Sequence, residues 1–289
     1  MRSSRRAVRV MERPGSVRVE REGDALRGDA PVAVMSSWTK TAQMSLSLSQ
    51  YLFRLEEIGF RSLLVNTSAF SSALEWPHGI PATTTVVRRD NIGYDFGSWS
   101  SALRTFPWIR ANRAVLLTND SMVGPFASLD AIADAANASY ADLFGLTESY
   151  QGAHHPQSYF LLFRGGVLAE RPWTRFFDAV REEETKEDIV RAYEFGVPRV
   201  CSRYGYSWET MVGADAAVSG EGNPTFDRWR YLLEAGIPFV KRSLITDSDY
   251  QATVAEVAGY VQWAYGQNLR EWLPEGYFMA GRQRGEAGE

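Results

Sequence analysis

Cysteine is almost absent from this sequence. Cys201 stands alone, so no intramolecular disulfide can form, and a reducing compartment is the simpler setting. Histidine is nearly as scarce, with three in the chain. The two adjacent ones, His154 and His155, would point apart in an extended segment with no Cys or third His nearby, which argues against a histidine metal site. No run of about 20 apolar residues exists, so no segment reads as a bilayer span. Positive charge is not in excess: 31 Lys and Arg against 35 Asp and Glu give a net charge of -4, which is the wrong sign for a duplex nucleic-acid binder. Neither a P-loop nor a Gly-x-Gly-x-x-Gly turn is present, so the two commonest glycine-rich phosphate cradles are missing. A Gly-x-Ser-x-Gly elbow is missing too, which leaves a serine hydrolase unsupported.

What remains is a chain of 289 residues, 45% hydrophobic and rich in aromatics, enough for one large core or two small ones. Residues 1–30 are Arg-rich and punctuated by Gly and Pro. They lack the apolar stretch of a secretory signal and read as a poorly ordered leader, which points to a cytoplasmic protein. A single domain is expected over 31–250, because no repeat or low-complexity linker divides it. Residues 251–289 read as a helical segment and tail. Its Tyr260, Trp263, Tyr265 and Trp272 can either pack on the domain or lie at a membrane interface.

Short apolar runs alternate with helical periodicity through the first half. Val32–Met35, Ser62–Val65, Thr83–Val87 and Ala114–Leu117 read as buried strands. Met44, Leu48, Tyr51, Leu52 and Leu55 mark one face of a helix that Gly59 ends. This alternation predicts βα units and a mostly parallel sheet flanked by helices, the α/β class. Further on, Leu143–Thr147 and Tyr159–Phe163 read as strands. Asn223-Pro224 opens a helix carrying Phe226, Trp229 and Leu233, and Ile237–Val240 reads as a last strand.

Ligands of open α/β sheets bind beyond the carboxyl ends of the strands. Three strand ends here are polar: Ser36-Ser37, Asn66 and Asn119-Asp120. Asp120, after an apolar strand, can hold a divalent cation against a departing diphosphate, or can cap an ordinary Asn-Asp-Ser turn. Thr118 stands where a paired acid would complete a two-acid metal motif. In Asn91-Ile-Gly93-Tyr-Asp95, Gly93 permits a tight turn and close approach to a ligand, and Asp95 either contacts a nucleotide or caps the next helix. Glu194 follows Ile189, Val190 and Tyr193 on an amphipathic helix and is either an acceptor base or a solvated acid. Lys241 and Arg242 can hold a diphosphate, pair with acids, or be solvated.

Taken together, these segments resemble the rhamnan synthesis F family of bacterial polysaccharide enzymes. The matching stretches are Asn91-Ile-Gly-Tyr-Asp95 with Trp99, Leu117-Thr-Asn-Asp-Ser121 with Gly124-Pro125, Phe144-Gly-Leu-Thr147, and Gln157-Ser-Tyr-Phe160. Tyr193-Glu194, Asn223-Pro-Thr225 with Trp229, and Gly236-Ile-Pro-Phe-Val-Lys241 follow in the same order. The resemblance implies a GT-A-like nucleotide-sugar transferase fold, with a nucleotide-binding half at 31–126 and an acceptor half at 127–250. It implies a rhamnose-type donor, dTDP- or UDP-linked, and a polysaccharide or lipid-linked acceptor at the inner membrane face. On that reading Ser36, Asn66, Asn91, Gly93, Asp95 and Asn119 surround the donor. Asp120 places the diphosphate with or without Mg2+ or Mn2+, Lys241 offsets leaving-group charge, and Glu194 activates the acceptor. The rival expectation is a non-catalytic binding module on the same fold, which the lone acid near residue 120 favours.

Overall fold

The structure is a computed structural model, and it describes residues 8–10, 17–24, 28–213 and 222–274. The tail beyond 274 and most of the leader lie outside the described residues. The chain folds around one mixed sheet. Its strands are β1 (Arg18–Arg21), β2 (Val32–Ser37), β3 (Arg61–Asn66), β4 (Thr85–Arg88), β5 (Ala114–Asn119), β7 (Leu143–Ser149), β9 (Phe160–Arg164) and β10 (Trp208–Val212), in the order β1-β4-β3-β2-β5-β9-β7-β10. The block β4-β3-β2-β5 is parallel throughout, and β7 with β10 forms a second parallel pair. The α/β class and the parallel centre are therefore as the alternating apolar runs predict. Antiparallel β9 joins the two parallel blocks.

Strand periodicity decides the layers. Along β2, Val32 and Val34 face one core while Ala33 and Met35 face the other, and Leu63/Val65 against Leu64 and Val115/Leu117 against Leu116 repeat the pattern. A helix layer covers each face. Helix α1 (Leu46–Glu57) begins where the Ser45 hydroxyl accepts the Leu48 N–H at 3.1 Å, and it buries Leu48, Tyr51, Leu52 and Leu55. Leu52 is fully buried, so truncating it to Ala costs about 2–5 kcal/mol. Helix α2 (Tyr94–Thr105) covers the opposite face with Phe96, Trp99 and Leu103. Trp99 sends its indole N–H to the Thr118 carbonyl at 3.1 Å, which fixes α2 against the end of β5.

Two expectations need correction. Residues of the leader are built into the fold: β1 pairs antiparallel with β4, and Val10 is buried against the α2 side of the sheet. The strand after Gly236 does not join the main sheet. It is a two-residue strand, β11 (Val240–Lys241), paired antiparallel with β6 (Met122–Val123), which follows β5 directly. Of the two placements open to the 251–274 segment it takes the packed one: Val257, Val261, Leu269, Trp272 and Leu273 share a core with Val123, Phe126, Trp229 and Val240. Trp272 and Tyr265 pack on Phe126 and Tyr260 packs on Trp229, so of the four aromatics only Trp263, 80% exposed, faces outward. Among the described residues no helix is long and apolar enough to cross a membrane.

Candidate functional site

The strands β2, β3 and β5 end side by side. Ser36 is in register with Asn119, and Ser37 with Asn66. From β2 the chain builds β3 and β4 to one side and β5 to the other, so connection order reverses between β2 and β5. A crevice opens at such a reversal in open α/β sheets. Here it holds a cavity of about 130 Å³. Its walls are the first turn of α2 (Tyr94, Asp95, Phe96), Asn119 and Ser121 after β5, the approach to β9 (Gln157, Ser158, Tyr159), the turn with Ile189, Val190 and Glu194, and Lys241.

Asp95 is the hub. Its Oδ2 accepts from Asn119 Nδ2 at 2.9 Å, and the Ser36 hydroxyl also bonds to it. Burial pushes its pKa up from 3.8 to about 6. The nearby charge of Asp120 adds to the rise, while Ser36, Lys241 and Asn119 oppose it. Lys241 donates to the Ser121 hydroxyl at 3.2 Å and sits 5.9 Å over the Tyr159 ring. Glu194 belongs to a π-helical turn, Val190–Glu194, between α3 (Lys186–Ile189) and α4 (Gly196–Tyr204). Such widened turns are frequent at functional sites. Its Oε1 accepts the Ser158 N–H at 2.8 Å, so the carboxylate is aimed along the cavity wall.

Four of the anticipated donor residues, Asn66, Asn91, Gly93 and Ser36, do not line the cavity. Asn66 is fully buried. Its amide donates to Ser37 Oγ and accepts from the Ser68 N–H, both at 3.1 Å, which ties the end of β3 to the following turn. Asn91 is exposed and does not line the cavity. Gly93 does enable a tight turn, with φ +77°, but its close neighbour is not the cavity. A Cβ there would meet Val10 Cγ2 at 2.8 Å. Ser36 acts through Asp95 rather than lining the wall itself.

Asp120, expected at the metal, is bound otherwise. Its Oδ2 accepts the Trp38 N–H at 3.2 Å and lies 3.3 Å from Arg242 Nη2. The neighbouring Asp95 oxygen is held by Asn119. No group of three or more His, Cys, Asp or Glu that could hold a metal ion occurs among the described residues, and a guanidinium already stands at the one strand-end acid. A Mg2+ or Mn2+ brought by a substrate would therefore meet a single strand-end carboxylate, already engaged by Trp38 and Arg242. His154 and His155 belong to no such group of three among the described residues. His154 stacks on Tyr150 and pairs with Glu148 at 3.2 Å, and His155 bonds the Ala153 carbonyl.

Ser121, Gln157, Ser158 and Tyr159 also line the cavity, although no motif of the sequence singles them out; all lie in the family-like segments. The sequence leaves Arg242 undecided. A signal did exist for Arg242, because two adjacent cations after a short strand could reach the same acid-bearing turn.

The chain is similar to several known proteins. The virulence protein VirA of Vibrio anguillarum is 25% identical over 199 residues, covering 58% of this chain and 64% of that protein. Protein y4gN of Sinorhizobium fredii is 20% identical over 154 residues, covering 52% of this chain and 40% of its own length. The chain thus matches less than two thirds of each relative. Among solved structures, the mannosyltransferase PcManGT from Pyrobaculum calidifontis, in complex with GDP-Man and Mn2+, aligns with a TM-score of 0.38 and 12% identity over 89% of this chain and 81% of that one. The family model for rhamnan synthesis protein F matches residues 77–269, about two thirds of the sequence and all of the cavity wall, and the chain belongs to that family.

Proposed function

We propose that the protein is a glycosyltransferase of the nucleotide-sugar-dependent, GT-A-like type, acting in bacterial polysaccharide synthesis. The observation that carries this reading is the cavity at the β2/β5 reversal. There an acid, an amide and a cation (Asp95, Asn119 and Lys241) face a second acid, Glu194, across one small space. Membership of a family named for rhamnan synthesis supports a sugar of the rhamnose type as the substrate class. A cavity of about 130 Å³ is small beside the roughly 300–1,000 Å³ of whole-ligand pockets, so it suits the sugar-diphosphate end of a donor, with the base lying outside.

In this reading the donor is a dTDP- or UDP-linked hexose such as rhamnose. Asp95 and Asn119 orient it, and Lys241 meets the diphosphate. The acceptor, a glycan or lipid-linked glycan, enters from the Glu194 side. Its hydroxyl oxygen forms a bond to the anomeric carbon while the bond from that carbon to the diphosphate oxygen breaks. The electron pair of the broken bond leaves with the diphosphate, and the hydroxyl proton passes to Glu194. Attack from the face opposite the leaving group inverts the anomeric centre. The cation offsets charge that grows only as the bond breaks, the kind of interaction that lowers the barrier. A lipid-linked acceptor would bring the protein to the cytoplasmic face of the membrane, where exposed Trp263 offers an interfacial contact.

A thermal-shift series with nucleotide sugars tests the reading. A ligand at 100 times its Kd should stabilise by about 2.7 kcal/mol. A donor that stabilises the protein and is turned over supports a transferase. A donor that binds without turnover in the presence of varied glycans leaves the binding-module alternative, and no stabilisation by any donor would end the proposal.

A further inference from the structure

Lys241 lines the cavity, and a second cation, Arg242, stands directly behind it in sequence on the Asp120-Ser121 turn. Arg242 follows β11 with helical backbone angles, φ -54° and ψ -40°. In a continuing strand its side chain would point away from that of Lys241. The helical turn breaks the alternation, and both cations converge on the same segment. Lys241 reaches Ser121 Oγ at 3.2 Å and Arg242 reaches Asp120 Oδ2 at 3.3 Å. The Arg242 backbone N–H donates to the Ser121 carbonyl at 2.9 Å, which locks the two segments together.

Asp120 leaves most of the guanidinium unused. Arg242 is 18% exposed, its Nε is buried without a partner, and one Nη2 contact at 3.3 Å is its link to Asp120. A guanidinium has five donors in a fixed fork that matches phosphate oxygens in pairs. The buried Nε is enclosed by the protein, whereas the Nη donors that Asp120 does not take are not among the buried unmet atoms and stay open to an incoming anion.

Resting on the donor role of the cavity, we infer that Arg242 and Lys241 together form a cationic clamp for the donor's diphosphate, in the position a divalent cation would otherwise take. Asp120 is the positioning residue that aims Arg242. As the anomeric carbon–oxygen bond breaks and its electron pair departs on the diphosphate, these two fixed cations offset the charge without a metal.

Calorimetric titration of the full chain with UDP, GDP and dTDP, and with the matching nucleosides, tests the clamp. Each titration is run in EDTA and again with Mn2+, on the parent, Arg242→Gln and Arg242→Lys. At least one diphosphate should bind in EDTA, and Mn2+ should change its Kd by less than about threefold, since no counter-charge is missing. Arg242→Gln should weaken that diphosphate by about ten- to a hundredfold, the scale of a lost charge-assisted bond, with nucleoside binding unchanged. Arg242→Lys keeps the charge and the fold but loses the fork, and should bind several-fold more weakly; it decides the matter if the Gln variant does not fold. Diphosphate binding only with Mn2+, or an Arg242→Lys variant as tight as the parent, would overturn the clamp and leave the donor site standing. Absence of nucleotide binding in every buffer would overturn the clamp and the donor site together.

Discussion

The Asp95 carboxylate accepts a hydrogen bond from Asn119 Nδ2 at 2.9 Å, which joins the first turn of α2 to the end of β5. The bond holds an acid in a place that disfavours its charge.

That placement sets a pH dependence. Burial raises the Asp95 pKa from 3.8 to about 6, so the folded state binds its proton more tightly than the unfolded chain does. Its stabilising contribution is complete below the unfolded value and is lost as pH rises through about 6. Asp95→Asn keeps an acceptor for Asn119 and removes the charge. The variant should be more stable than the parent at pH 7–8, on the order of 1–3 kcal/mol, and the gain should vanish toward pH 4. Thermal melts across that range check it. A difference that did not vary with pH would mean that Asp95 ionises as an ordinary exposed acid.

Glu194→Gln preserves the oxygen that accepts from Ser158 N–H while removing basicity. Turnover should fall by roughly 10²-fold or more, with donor affinity little changed. Normal turnover would exclude Glu194 as the base and leave Asp95 as the next candidate.

Asp120→Asn should act through its neighbours. Its charge contributes to the raised pKa of Asp95, so the variant should lower the Asp95 titration point seen by carboxyl NMR. Loss of the ion pair to Arg242 should cut transfer by about tenfold or more without an early melt. An unmoved Asp95 titration would show that the two acids are not coupled.

Gly93→Ala should destabilise the fold rather than the chemistry. The residue has φ +77°, and a Cβ would stand 2.8 Å from Val10 Cγ2. A loss of about 1–3 kcal/mol is expected from strain and overlap. Chemical denaturation measures it, and a variant as stable as the parent would mean that the Val10 segment moves aside freely.

The parallel centre of the sheet was legible because buried parallel strands leave continuous apolar runs, as in Val32–Met35 and Ala114–Leu117. Asp95, Asn119, Lys241 and Glu194 were legible as strand-end or cleft residues, and they do border one cavity. Asn66 has the same local signature, yet it serves the turn after β3, because only the three-dimensional position of β3, one strand further from the reversal, separates the two roles. The pairing of Arg242 with Asp120 spans about 120 residues, as does β11 with β6, and no local pattern encodes such long-range partners. The insertion of β9 between β5 and β7 was hidden for the same reason.

The docking of β1 on β4 has a consequence for solubility. Edge strands with open backbone donors and acceptors recruit other chains, and β1 covers one such edge along Thr85–Arg88. The same strand supplies Glu20, which meets the buried Arg88 guanidinium at 2.9 Å. A form of the protein beginning at Pro31 would therefore expose a sticky edge and strand a buried cation at once, a loss of about 3–5 kcal/mol for the broken pair alone. Trimming the Arg-rich beginning to tidy an expression vector would thus yield aggregates rather than a cleaner protein.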